Sequence, residues 1–476
     1  MGDKLKLPGN PKDVVMRFAP NPNGPLTLGH ARGVVVNSEM VAKYGGKLIL
    51  RFDDTDPRIK KPLLTAYDWI EKDMEWLGAK PDEIVIASDR IPVYYEHAEK
   101  LIGLGKAYVC ECEREEFKSR KAQGQVCACR ESEESLDGWK QMIEGKFEEG
   151  ETVLRIKTDM HHPNPALRDW VAFRIIKEDH PRVGGKYVVW PMLDFESAIE
   201  DHLLGITHII RGKDLSDSEK KQGFVYGYLG WDYPSVIHWG RLAIHEYGKF
   251  STSEMSKAIA EGRYSGWDDP SLPTLRSLKR RGIQAAAIRT LMTDLGLSLS
   301  DITVSLENLY AENRKLIDGT SNRYFYVEDP VKVTVKNSPC KTFRMPLHPV
   351  HRGRGVREYA LSNKNGEAEV FISNDDACKL EKGDVLRLIG YCAVEVESVE
   401  GNPVCKTSNE KTKGKIQWIQ DGVNCKIAKP EGTTHGLCEK KCTELKVGDV
   451  IQFERYGFVK LDEKKEGELV FYYAHR

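Results

Sequence analysis

Four stretches of the chain bring together side chains that could do chemistry. The run from Arg17 to Arg32 (Arg-Phe-Ala-Pro-Asn-Pro-Asn-Gly-Pro-Leu-Thr-Leu-Gly-His-Ala-Arg) leads an apolar strand of Val14, Val15, Met16 and Phe18 through Pro20, Pro22, Gly24 and Pro25 into a helix opening at Gly29-His30. Free N–H groups at a helix start attract an anion, so this turn is a candidate phosphate cradle. Gly29 lets a ligand approach the backbone, and His30 adds a donor beside it. An ordinary βα turn would explain a lone Gly-His pair equally well. Arg211 ends a second apolar strand, and a guanidinium placed there in a cleft needs an anionic partner. Asp214 is the alternative partner within the chain. The polar segment from Phe250 to Ala258 holds one lysine, Lys257, and reads either as a mobile loop able to close over a triphosphate or as plain surface. Cys110, Cys112, Cys127 and Cys129 form two close pairs separated by fourteen residues. They could hold a tetrahedral zinc ion, or remain four free thiols.

The elements that must position these groups follow from periodicity. Leu48 to Phe52 reads as a buried parallel strand emptying into Asp53-Asp54-Thr55-Asp56-Pro57. Ligands of open α/β sheets lie beyond the carboxyl ends of strands, which puts this acidic turn beside the Arg17 to His30 turn. Tyr67, Ile70, Met74 and Leu77, then Val93, Tyr94, His97 and Leu101, recur at helical spacing as core stripes around a short strand at Ile84 to Ile86. Strand and helix alternate, as in a doubly wound sheet. After a polar insert the pattern resumes with a strand near Val189, a helix through Ala198 to Leu203 and the strand ending at Arg211. Helical spacing runs on from Leu275 to Leu316, where Lys279, Arg280 and Arg281 are either a solvated face or phosphate contacts. From Tyr324 onward short alternating runs separated by Gly, Asn, Asp and Pro indicate an all-β half of one or two barrels. There the loop His348 to Arg357, with Arg352 and Arg354, suits single-stranded nucleotides. Cys425, Cys438 and Cys442 read as structural.

The Pro-x-Pro-x-Gly-x-Leu-x-x-Gly-His pattern resembles the first signature of class I aminoacyl-tRNA synthetases in its glutamyl and glutaminyl form, with Thr27 where the signature has its first His. Glu254-Met255-Ser256-Lys257-Ala258 is similar to the second signature at Met255, Ser256 and Lys257. The resemblance implies ATP binding by Pro20, Pro22, Gly24, Thr27, Gly29, His30, Arg241, Leu242, Met255, Ser256 and Lys257, with His30 and Lys257 catalytic. It implies that Asp53 takes the amino group of the amino acid. It implies that Arg17 and Arg211 take a side-chain carboxylate, and that Leu193 stands where relatives commonly place a Tyr. Two arginines favour glutamate over glutamine, because glutamine would leave a buried guanidinium unpaired. The Cys-x-Cys pairs resemble zinc elements in acceptor-stem inserts of glutamyl enzymes, and Asp329-Pro330-Val331-Lys332-Val333 resembles their β-barrel anticodon-binding half.

The 476 residues exceed what one core usually serves, about 250 to 300. Lys plus Arg (71) balances Asp plus Glu (72), so a polyanion must be met by local patches. Eleven cysteines without an apolar leader, and no run of about 18 apolar residues, point to a cytoplasmic protein without a membrane span.

The expected architecture is α/β: a Rossmann-type catalytic domain split over 1–106 and 188–262, a zinc-containing insert at 107–187, a helical connector at 263–323 and a β-barrel anticodon-binding region at 324–476. The expected function is ligation of glutamate to tRNA through a glutamyl-adenylate, with Mg²⁺ accompanying ATP and Zn²⁺ structural. Lys279, Arg280, Arg281, Arg352 and Arg354 are candidate tRNA contacts. Further expectations are a monomer, glutamine tRNA as a possible second substrate, and an amidotransferase partner downstream. A glutaminyl enzyme, a nucleotidyltransferase sharing the first signature and a non-catalytic tRNA-binding paralogue are the rivals. The closeness of the first strand to residue 1 suggests a shortened chain, since archaeal relatives carry an extra amino-terminal domain.

Overall fold

The computed structural model describes residues 5–8, 11–248, 251–339 and 341–476. The chain divides into two compact units, residues 1–261 with 289–305, and residues 262–288 with 306–476.

In the first unit β1 (Val14–Phe18), β2 (Gly46–Phe52) and β3 (Glu83–Ile86) form a parallel sheet in the order β1-β2-β3, with Arg17 opposite Ile49. Helix α1 (Leu28–Tyr44) connects the first two strands, and α2 (Leu64–Trp76) the second and third. On the other side of β1 lies a parallel pair, β8 (His208–Gly212) and β9 (Ser235–Trp239), tied to it where the Thr207 N–H donates to the Val15 carbonyl at 2.9 Å. The apolar residues of α1 (Val34, Val35, Val36 and Met40) are buried, which is why this stretch is a helix packed on a sheet.

Helix α3 (Ile91–Gly103) leads to an antiparallel four-stranded sheet of β4 (Ala107–Cys110), β5 (Val153–Ile156), β6 (Val171–Ile175) and β7 (Val189–Pro191). Helices α4 (Arg114–Ala122) and α5 (Ser135–Ile143) sit within this insertion. Its aromatic core of Trp139, Phe173 and Trp190 is continuous with Tyr94 of α3 and Phe195 of the next helix. Before β6 the chain makes a 3-10 turn at Pro165–Leu167 and then passes Asp169, whose φ is 27°. The buried Asp169 carboxylate there accepts from the Thr158 N–H (2.7 Å), the Tyr108 hydroxyl (2.9 Å) and Arg130 Nε (2.9 Å), so side-chain bonding overrides strand propensity.

The chain returns through α6 (Leu193–Leu203), β8 and α7 (Ser216–Leu229) to β9, and then to α8 (Thr252–Ala260). The expected mobile loop is therefore helical where it is described, and Phe250 lies outside the described residues. A cap starts this helix: Ser251 Oγ accepts from the Glu254 N–H at 3.2 Å while the Glu254 carboxylate accepts from the Ser251 N–H at 3.1 Å, a reciprocal capping box.

The second unit carries helices Leu275–Arg281 and Leu306–Ile317 and two extended sheets. One has seven strands, from Arg323–Tyr324 at one edge to Tyr326–Glu328 at the other. The other has six, and a bridge from Phe371 to Ile419 carries its last segment back to its first strand, giving the barrel-like closure expected of this half. Strands Gly422–Lys429 and Gly432–Glu439 form a hairpin that alternation did not single out. Among the described residues no helix is long and apolar enough to cross a membrane.

Candidate active site

Arg17, Arg211 and the acidic turn stand at the carboxyl ends of β1, β8 and β2, the edge where parallel sheets bind ligands. They line one cleft of about 340 Å³ together with His30, Leu193 and Gln222. A smaller recess of about 210 Å³ shares Ala19, Asp53 and Leu193 with it and is lined by Asn21, Lys60 and Arg174 as well.

A chain of buried ion pairs fixes the floor. Arg17 Nε and Nη2 donate to the two carboxylate oxygens of Asp201 at 3.0 and 3.1 Å. Arg51 Nη1 donates to the same Asp201 at 2.7 Å, and its Nε and Nη2 grip Asp53 at 2.6 and 3.2 Å. Arg51 is wholly buried, and the carboxylates of Asp53 and Asp201 hold its proton more tightly than usual despite that burial. Asp201 is also buried, yet Arg17 and Arg51 keep its pKa below the usual carboxylate value. Neither Arg51 nor Asp201 was singled out from sequence. A charged residue inside the apolar run Leu48–Phe52 was the available signal, since a buried guanidinium must have partners.

Arg211 differs. It is 6% exposed, its Nη1 and Nη2 both donate to Gln222 Oε1 at 3.0 Å, and its Nε meets no acceptor among the described residues. Asp214, the alternative partner, lies instead 3.5 Å from Arg241. Burial and the nearby Arg17 charge make the Arg211 guanidinium easier to deprotonate than usual, the mark of a cation short of anions. Beside Asp53, Glu196 is buried, accepts from the Thr55 hydroxyl at 2.6 Å and is pushed toward its neutral form by burial and the Asp53 charge.

The turn before α1 is held by its backbone: the Pro20 carbonyl accepts from the Asp53 N–H at 3.1 Å and the Pro22 carbonyl from the Leu63 N–H at 2.8 Å, with Gly24 buried between them and the helix. Thr27 is the N-cap. Its hydroxyl accepts from the His30 N–H at 3.4 Å, and His30 Nδ1 accepts from the Thr27 N–H at 3.2 Å. Thr27 is thus committed to starting α1 and to orienting His30, a role that its place in the turn did not disclose. Gly29 and His30 are exposed at the cleft, and a Cβ on Gly29 would meet nothing nearer than the Thr27 hydroxyl at 3.6 Å.

Leu193 opens α6 and is 43% exposed over both recesses. Arg241 is exposed, and its N–H donates to Asp301 at 2.7 Å; Leu242 begins a two-strand parallel pairing with Ile302. On α8 Met255 is buried, whereas Ser256 and Lys257 face outward, with Lys257 Nζ 3.8 Å from Glu261. Met255, Ser256 and Lys257 are not among the residues lining the cleft.

Cys110, Cys112, Cys127 and Cys129 do converge, with all four sulfurs within 4.8 Å of one another and Cys112 Sγ 3.8 Å from Cys129 Sγ. A tetrahedron of thiolates about 2.3 Å from zinc has edges of about 3.8 Å, so the donor set fits that ion. Tyr108, Phe117 and Val153 back the cluster. Hydrogen bonding from Cys110 draws the Cys127 thiol down to about 5, while burial and the neighbouring sulfurs push Cys112 up to about 12. Among the described residues no other group of this kind occurs. Cys425, Cys438 and Cys442 are core residues of the seven-stranded sheet, as expected.

The basic candidates of the second unit part company. Arg281 is 1% exposed and donates to the carbonyls of Tyr473 (2.9 Å) and Ala474 (2.7 Å), which corrects its reading as a phosphate contact: helix and strand packing buries it. Arg280 is engaged by Asp462 (2.8 Å) and Asp268 (3.0 Å) and lies over the Tyr472 ring. Lys279 accepts a bond at its carbonyl from Lys460 Nζ at 2.9 Å. Arg352 and Arg354 are exposed on a 3-10 turn, Arg354 donating to Asn322 at 2.7 Å.

Comparison with known proteins agrees with this geometry. Residues 13–318 match the family described as tRNA synthetases class I (E and Q), catalytic domain, and residues 321–416 and 412–462 match the two anti-codon binding domains of the same class. A glutamate-tRNA ligase of Methanosarcina acetivorans is 52% identical over 98% of this chain and 82% of its own length. One from Archaeoglobus fulgidus is 52% identical over 97% and 83%. A crystal structure of a glutamate tRNA ligase from Elizabethkingia meningosepticum, in complex with its amino acid, aligns with a TM-score of 0.46 at 22% identity, over 65% of this chain and 71% of that one. With its catalytic-domain match covering the cleft and its anticodon-domain matches covering the β half, the chain belongs to the class I (E and Q) tRNA synthetases.

Proposed function

We propose that the chain is a glutamate-tRNA ligase. The observation that carries this reading is Arg211, a buried guanidinium whose only hydrogen-bond acceptor among the described residues is a neutral amide. The floor of the cleft is electrically closed, Arg17 and Arg51 being matched by Asp201 and Asp53, so Arg211 leaves one positive charge for the ligand. The γ-carboxylate of glutamate supplies the matching negative charge, and glutamine does not.

In this reading Asp53 takes the amino group, and Arg17 and Arg211 take the side-chain carboxylate. The α-carboxylate attacks the α-phosphorus of ATP, forming glutamyl-adenylate and releasing pyrophosphate. The glutamyl group then passes to the terminal ribose of tRNA. In-line displacement leaves the protein mainly positioning and charge stabilisation. His30 and the N–H groups opening α1 donate to phosphate at the cleft, while Lys257 on α8 neutralises the departing pyrophosphate. Mg²⁺ enters with ATP, and the four cysteines hold zinc that braces the insertion. The remaining ATP-side assignments, Pro20, Pro22, Gly24, Thr27, Gly29, Arg241, Leu242, Met255 and Ser256, stand as parts of this proposal.

The same proposal divides the chain into the split catalytic domain (1–106, 188–262), the acceptor-stem insert (107–187), the connector (263–323) and the anticodon-binding region (324–476). Exposed Arg352 and Arg354 are its tRNA contacts, with Lys279 a weaker candidate. It also includes a monomer, cytoplasmic placement, and glutamine tRNA as a second substrate whose product an amidotransferase would finish. Pyrophosphate exchange into ATP, run with glutamate or glutamine and with or without total tRNA, tests the core of it. Exchange supported by glutamate alone of the two is expected. Exchange with glutamine in preference would replace the reading with a glutaminyl enzyme, and none with either would leave a tRNA-binding paralogue.

A further inference from the structure

We infer that Gln222 is the positioning residue that sets the charge preference of the cleft, by holding Arg211 in place without neutralising it. The inference rests on the glutamate reading above and concerns a residue that acts through Arg211.

Gln222 lies on α7, 3% exposed, and its Oε1 receives three donors: Arg211 Nη1 and Nη2, each at 3.0 Å, and the Tyr233 hydroxyl at 2.5 Å. Three converging N–H and O–H donors define which end of the amide faces Arg211, since the amide nitrogen has no lone pair to accept them. Burial holds Tyr233 as a protonated donor, its hydroxyl pushed up to about 12. A carboxylate at position 222 would satisfy the same donors equally well. It would also cancel the Arg211 charge, and the site would then have no reason to prefer an anion. The groups facing Arg211 support this accounting: Arg17 repels it, while the negative charges of Asp201 and Glu219 act at a distance, Asp201 already spent on Arg17 and Arg51 and Glu219 3.0 Å from His238. Neutrality at 222 is therefore what keeps the ligand-facing charge available.

The test is pyrophosphate exchange by the full chain with total tRNA, comparing wild type with Gln222→Glu and Gln222→Met for glutamate and glutamine separately. Gln222→Glu is expected to lower the glutamate-over-glutamine ratio of kcat/KM by about 100-fold or more, through KM for the amino acid, with KM for ATP unchanged. Gln222→Met keeps the cation and removes only its tether, so it is expected to raise KM for glutamate about tenfold while glutamate stays preferred. A Gln222→Glu chain that discriminates like wild type overturns the inference. So does a Gln222→Met chain that loses discrimination as fully as Gln222→Glu, because charge would not be the cause. If Gln222→Glu does not fold, Gln222→Met decides alone: retained glutamate preference with raised KM supports the inference, and equal use of both amino acids refutes it. A wild-type chain indifferent between glutamate and glutamine is a different failure, one that removes the glutamate reading first and this inference with it.

Discussion

The cleft at the strand ends and helix α8 use charge in opposite ways. In the cleft, Arg17 on β1, Arg51 on β2, Asp53 in the turn after it and Asp201 on α6 are linked side chain to side chain, so their geometry is set before any ligand arrives. On α8, Lys257 is 76% exposed, with Glu261 3.8 Å away. Only Met255 and Ala258 anchor the helix by burial. Groups that recognise a small ligand must be preorganised, because a buried charge out of register is costly. A group that meets a departing phosphate gains from remaining on a surface element able to move.

Sharpening that contrast begins with the largest effect. Replacing Arg211 by Ala removes the unmatched cation, and kcat/KM for glutamate in pyrophosphate exchange should fall by about 100-fold to 1000-fold, mostly through KM. An unchanged KM would mean that the cleft does not read the side-chain carboxylate. Next, Lys257→Ala should lower the rate of adenylate formation by about tenfold to 100-fold with little change in glutamate binding. If glutamate affinity fell with the rate, α8 would belong to the recognition machinery and the contrast would break.

The cysteine cluster, proposed to hold zinc, offers a control removed from both regions in chemistry. Native mass spectrometry should show about one zinc per chain. Cys127→Ser should abolish it and lower the melting temperature, while glutamate KM in the folded fraction stays within about twofold of wild type. Smallest of all, the two helix caps compare directly. Thr27→Ala should cost about 1 kcal/mol in urea unfolding and disturb ATP affinity through His30. Ser251→Ala removes a cap of the same kind from an exposed helix, and should change hydrogen exchange of α8 more than global stability.

Much of the site was legible because its residues lie at strand ends. The apolar runs before Arg17, Asp53 and Arg211 announced buried parallel strands, and parallel strands place their ligands at that end. The paired cysteines were legible for a similar reason, two close pairs of thiols being a metal-binding grammar. What escaped were the partners: Asp201 on the buried side of α6, which meets Arg17 across 184 residues of chain and Arg51, hidden in a strand, across 150, and Gln222 on α7, which meets Arg211 across 11. Helix α8 escaped for another reason, because its polar composition suggested a loop while its Ser251-Glu254 capping pair encoded a helix start. Arg281 was misread because a basic run looks solvated until a strand edge buries one of its members.

By itself, then, the amino-acid order determined the alternation of strands and helices, the change to an all-β half near Tyr324, the cysteine cluster and the chemical types at each strand end. Those properties are local: periodicity, turn chemistry and short spacing all act within a few residues. Tertiary structure alone decided which charges are matched and which one is not. Whether a guanidinium is neutralised depends on what packs within about 4 Å of it from other elements. The chain brings Asp201 to Arg17 and an amide, rather than an acid, to Arg211.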